Sequence, residues 1–177
     1  TPELYARAYC EISREIRAVD PTARLAMAGV VQGTPLRMAY LDRVWDEYPN
    51  VCDGRSLGED VDVWNVHNFV LREASQACYC DPCETWGAEI PPGLDDCSGK
   101  LYTAMDNASL TLFKEQIVRF RTWMRDRGER SKPLIISEGG LNIGRAYINE
   151  IMVQIFLQSV LDYVLTQTST TLGDPLD

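Results

Sequence analysis

The sequence predicts an α/β protein with a parallel sheet, and three observations carry that prediction. Stretches of helical periodicity alternate with short apolar runs, in the order helix, strand, helix, strand, insertion, helix, strand, helix. Crossover helices between parallel strands produce this alternation. The run Leu134-Ile135-Ile136 is continuously apolar with two β-branched residues, which fits a strand buried on both faces. That run leads into Ser137-Glu138-Gly139-Gly140, an acid and two glycines at the carboxyl end of a strand, where parallel α/β proteins place their ligands.

Thr1-Pro2-Glu3 opens a helix, with a threonine N-cap, proline at the first helical position and an acid in the first turn. Leu4, Ala8, Ile12, Ile16 and Val19 recur at helical spacing and predict one buried stripe, and Asp20-Pro21 ends the helix. Arg24 to Val31 reads as a strand around Gly29. Pro35 to Tyr48 reads as a second helix carrying Met38, Leu41, Val44 and Trp45 on one side, and 49–60 reads as a loop. Val61 to Phe69 reads as a strand in which Trp64 and Asn65 face opposite ways, so only one of them looks toward the ligand side. The stretch from about 74 to 106 is too long for an ordinary connection and holds Cys78, Cys80, Cys83 and Cys97, so it reads as a folded insertion. Asn107 to Arg127 is a helix with Leu110, Phe113, Ile117, Phe120 and Met124 on one face, stopped by Gly128. Pro133 bars a helix from entering the Leu134 strand. Ile148 to Leu165 is the last helix, and Thr166 to Asp177 an exposed tail.

Residues 1–177 read as one domain. Three strands are too few for a closed barrel, which needs eight strands and at least about 200 residues. The chain also starts on a helix and stops where a further strand is due, as expected of the middle or later part of something larger.

Composition excludes several classes. The chain has 26 acids against 17 bases, a formal charge of −9, with the bases dispersed. Nucleic-acid-binding surfaces carry a basic excess, so none is expected to bind. No run of about 18 apolar residues exists to span a membrane. The most apolar part, Ile148 to Leu165, is interrupted by Asn149, Glu150, Gln154, Gln158, Ser159 and Asp162. No basic-then-apolar leader opens the chain, as in a mature secreted protein. Neither GxxxxGK[ST] nor GxGxxG occurs, so a phosphate-loop enzyme is disfavoured and no cofactor is expected.

Three pieces of sequence carry a resemblance: Asp62 to Phe69 (DVWNVHNF), Phe120 to Gly128 (FRTWMRDRG) and Lys132 to Gly140 (KPLIISEGG). Together they resemble the second half of a retaining glycoside hydrolase of the large clan with a (β/α)8 TIM barrel. The resemblance implies a partial barrel, with strands five to seven and their helices present and the first half and last strand lacking. It gives Glu138, at the end of the seventh strand, the role of nucleophile. It matches His67 to a histidine near the sugar at the end of the sixth strand. Phe69 stands where a tyrosine is common. The acid/base that such an enzyme needs follows an Asn at the end of the fourth strand, and so is expected upstream of residue 1.

The implied activity is hydrolysis of O-glycosidic bonds by double displacement in the full-length parent, with the isolated chain inactive. The alternative is a non-catalytic carbohydrate-binding or interaction domain that keeps the barrel shell. His67, the single histidine, reads either as a neutral donor to the nucleophile or a sugar hydroxyl, or as a hydrogen-bonded core residue. Asn65, Asn68 and Arg72 are candidate contacts to sugar hydroxyls. Trp86 is a candidate stacking platform, whereas Trp123 on the long helix reads as packing. Glu73 and Glu150 are weak candidates for a second carboxyl; Glu150 reads as a solvated acid at a helix start. The cysteine cluster of the insertion reads as a disulfide staple in a secreted, extracellular protein, with a four-thiolate zinc site as the alternative, and no catalytic metal is expected. The expected partners are an oligo- or polysaccharide and, through the open barrel edge, a second copy.

Overall fold

The computed structural model describes residues 1–74, 87–94, 97–141 and 148–166, and the backbone of 168–169 and 174–175. Helix α1 (Pro2–Val19) starts on Thr1, whose hydroxyl accepts from the Leu4 N–H. Helix α2 (Pro35–Val51) starts in the same way on Thr34 and takes Pro49 into its last turn. The predicted loop at 49–60 contains a short helix, α3 (Leu57–Asp60), closed by a reciprocal Ser56–Glu59 capping box. Then come strand β1 (Trp64–Val66), a single tight turn at Asp106–Ala108, α4 (Leu110–Asp126), strand β2 (Leu134–Ile136) and α5 (Glu150–Thr166). In the predicted tail, β3 (Thr168–Ser169) pairs antiparallel with β4 (Asp174–Pro175).

β1 and β2 run parallel, with Trp64, Asn65 and Val66 opposite Leu134, Ile135 and Ile136. Segment 24–31 joins β1 through parallel bridges at Ala26–Val63 and Val30–Val66. The α/β character and the parallel pairing stand as predicted, but the strands are shorter. Asn68 takes a left-handed backbone (φ 60°), which ends the extended stretch after β1. In segment 24–31 the Ala28 N–H turns to the Tyr5 hydroxyl (2.9 Å) instead of a neighbouring strand.

The main core lies between β1, β2 and the helices α2 and α4, with Trp64, Val66 and Leu134 packed among Leu41, Val44, Tyr48, Phe120 and Met124. Trp64 meets Trp123 edge-on at 4.9 Å, and its N–H donates to Glu129. Trp64 therefore faces the helices, and Asn65 the other side. A smaller cluster of Phe113, Ile117, Phe156 and Tyr163 ties α4 to α5.

Two packing expectations need correction. The periodic stripe of α1 is not buried: Leu4 is 68% and Val19 88% exposed. The helix buries Ala6, Cys10 and Ser13 instead, a face of small residues that lets it approach α2 closely and form the Cys10–Cys52 disulfide. Nor is β2 buried on both faces. Leu134 points into the core, but Ile135 is 42% exposed, because helices cover only one side of the sheet.

Candidate active site

The site follows from the register. Val66 lies opposite Ile136, and the Ser137 N–H donates to the Val66 carbonyl (3.1 Å), so the parallel pairing continues past both strands. It brings the two predicted residues together at the carboxyl ends of neighbouring strands, with His67 Nε2 3.7 Å from Glu138 Oε1. That is beyond hydrogen-bond range but within ionic reach, and catalytic contacts in unliganded sites are often looser than in the working complex. The Glu138 side chain is 60% exposed and that of His67 26%. The carboxylate is thus open to a ligand, while the imidazole is held from below.

Backbone contacts fix both residues. The His67 N–H donates to Val30 O at 2.9 Å, locking the end of β1 to segment 24–31. Gly139 passes close to the His67 carbonyl, where an added Cβ would sit 3.3 Å from that oxygen. Gly140 takes φ +141°, a conformation that side chains disfavour, and turns the chain away after Glu138. Beside His67, an open cleft of about 440 Å³ runs along segment 24–31, lined by Tyr5, Gly29, Arg37, Tyr40 and Pro91. Burial pushes the Tyr5 phenol up to about 12 and raises that of Tyr40, so both remain neutral at physiological pH.

The other predicted residues divide. Asn65 lies on the His67 side of the sheet, its amide close to Gly29 and its Oδ1 shielded from solvent. It and the imidazole border the same space at Gly29. Asn68 does not reach the site: it is buried, and its amide donates to the Phe113 carbonyl (3.2 Å). Arg72 is half-buried at the root of the insertion, with its carbonyl accepting from the Ala88 N–H. Trp86 lies outside the described residues, as do Cys78, Cys80 and Cys83. Cys97 is disulfide-bonded, so it is not a free thiolate for zinc. Trp123 is buried beside Trp45, Trp64 and Phe120, as packing. Glu150 is exposed in the first turn of α5.

Glu73 is fully buried, accepting from Arg37 (2.8 Å) and the Thr34 hydroxyl (3.0 Å). Arg37 also reaches the Glu89 carbonyl. This network ties the insertion to the start of α2 and holds Pro91 over the cleft. Its partners lie 36 and 39 residues apart in the chain, so no local pattern announces it. No protein-family model, curated protein or solved structure matches the chain.

Proposed function

We propose that the chain is the nucleophile-bearing part of a retaining glycoside hydrolase with a (β/α)8 barrel, in which segment 24–31, β1 and β2 are the fifth, sixth and seventh strands. One observation carries this reading: an exposed carboxylate, Glu138, facing an imidazole 3.7 Å away across the carboxyl ends of two parallel strands. In the reaction, one Glu138 oxygen attacks the anomeric carbon as the bond to the leaving oxygen breaks. An acid protonates that oxygen. As a base, the same group then takes a proton from the water that cleaves the glycosyl ester and frees Glu138. His67, whose Nε2 faces the carboxylate, would orient one of its oxygens as the pair closes on substrate and leave the other to attack.

The second carboxyl must stand about 5–5.5 Å from the nucleophile. Glu73 is ruled out by its buried pairing with Arg37, and Glu150 is an exposed acid at a helix start. On this reading the acid/base comes from outside these residues, and the chain alone turns over glycosides poorly or not at all. The substrate is an oligo- or polysaccharide met in an oxidising, extracellular setting, which suits the disulfides at Cys10–Cys52 and Cys97.

The test is made in a longer protein that joins this chain to its acid. Glu138→Gln should lower kcat/KM by about 10³-fold or more. Glu138→Ala should regain turnover with azide, yielding a glycosyl azide of inverted configuration. Turnover in Glu138→Gln within about tenfold of the parent would overturn the assignment. A parent that binds sugar without hydrolysing it, and still binds after Glu138→Gln, would point to a carbohydrate-binding domain instead.

A further inference from the structure

Gly29 stands beneath the imidazole. It is not among the glycines with positive φ, so the backbone does not demand glycine there. Space does. A Cβ at position 29 would fall 2.6 Å from His67 Cδ2 and 2.9 Å from His67 Nε2, with the Asn65 amide nitrogen at 3.1 Å. Carbon contacts settle near 3.5–4.0 Å, so a methyl group cannot enter unless the ring moves.

The adjustment falls on the His67 side chain. Its backbone is pinned by the bond to Val30 on one side and by Gly139 on the other. The Asn65 amide borders the same space at position 29. The contact falls first on Cδ2 and next on the adjoining Nε2, the atom that faces Glu138, so a ring that yields carries Nε2 with it. Nε2 is thus within reach of both position 29 and the carboxylate, and the missing side chain at 29 leaves the ring room to rest there.

We infer that Gly29 is a positioning residue for the His67–Glu138 pair, acting through the space it leaves under the imidazole. The functional consequence rests on the glycosidase reading, but the geometry can be tested without it. His67 is the only histidine, so its ring resonances are free of overlap. The experiment records imidazole ¹H–¹⁵N spectra of the 177-residue chain with and without Glu138→Gln, in the parent and in Gly29→Ala. In the parent, Glu138→Gln should shift the Nε2 and Hε1 resonances. In Gly29→Ala that response should be at least halved. An undiminished response would overturn the inference.

Folding is controlled by a second pair of variants. Gly29→Ala should lower the melting temperature of the parent but not that of His67→Ala, where the clash partner is gone. An equal loss in both backgrounds would show that the methyl group meets something other than His67, and would also overturn the inference. Neither outcome depends on turnover. A failed glycosidase assignment would show in the Glu138→Gln kinetics, with the imidazole spectra unaffected.

Discussion

Removing the Cys10–Cys52 bridge should cost this chain about 4 kcal/mol. The bridge joins α1 to the residue that ends α2, with a sequence separation of 42, and both cysteines are buried in the main core. Cross-linking a loop of that length removes unfolded-state entropy worth about 4 kcal/mol at 25 °C. For a chain of this size each kcal/mol moves the melting temperature by roughly 2–4 °C, so the loss should be on the order of 10 °C. Alanine at both positions is the right perturbation, because serine would bury hydroxyls. The assay is calorimetry of Cys10→Ala/Cys52→Ala against the parent, each with and without reductant. Reductant acting on the double variant reports separately on the bridge at Cys97. A melting temperature within about 2 °C of the oxidised parent would refute the reasoning. It would mean that the packing of α1 on α2 already restrains this loop when the chain unfolds, or that the bridge does not form.

Asp60 supplies a pH-dependent term. Burial alone would raise its pKa, but hydrogen bonds from Arg55 and Tyr48 outweigh burial and hold the carboxyl below the ordinary 3.8. A folded pKa below the unfolded one stabilises the fold fully above the unfolded value and is lost as pH falls through the folded value. Asp60→Asn should therefore cost about 2–3 kcal/mol at neutral pH and flatten the loss of stability in acid; urea melts at several pH values check this, and a variant as acid-sensitive as the parent would refute it. The exposed apolar faces of α1 (Leu4, Ile12, Ile16, Val19) and α5 (Ile151, Ile155, Leu161, Leu165) predict self-association. Sedimentation velocity should show species larger than a monomer that Ile155→Glu/Leu161→Glu disperses. A monomer at every concentration tested would count against it.

The legible part of the sequence was local. Periodicity locates α4, and Phe113, Ile117, Phe120 and Met124 of its predicted inward face are buried, while Leu110 at its first position is only half-buried. The acid after a short apolar run marked Glu138, and alternation along Val61 to Phe69 limited the ligand side to one of Trp64 and Asn65. Periodicity also found the stripe of α1, but could not say what the stripe touches. That helix buries its small residues, because a close approach to α2 is held by a covalent bond, and the apolar stripe is left outside. The illegible parts needed distance. Cys10 and Cys52 carry no spacing signature, and the Glu73–Arg37–Thr34 network joins residues far apart in the chain. Asn68 reads as a sugar contact because it is a polar residue at the end of the Val61 to Phe69 run, yet its backbone turns left-handed there and its amide donates to the Phe113 carbonyl. The 49–60 segment does carry one local signal of its helix, the capping-box pattern of Ser56 and Glu59.

The exposed apolar surface has a pattern that bears on the site. Among the described residues it falls mainly on α1, on α5, on the uncovered sheet face at Ile135 and on Leu101 and Met105 ahead of α4, whereas α2 and α4 leave no large apolar side chain exposed. His67 and Glu138 both extend from strands that pack against these two well-buried helices, through Trp64, Val66 and Leu134. Neither residue draws its position from the apolar surfaces that remain open. The pair is thus set by the finished part of the structure: the β1–β2 register, the Val30 contact and the space at Gly29. Self-association through α1 or α5 is expected to change the oligomeric state and the stability of the chain, whereas the spacing of the pair follows from the strand register. This is why the spectra of His67 can be read on this chain alone, whereas turnover, on the proposed glycosidase reading, needs a second carboxyl that neither Glu73 nor Glu150 supplies.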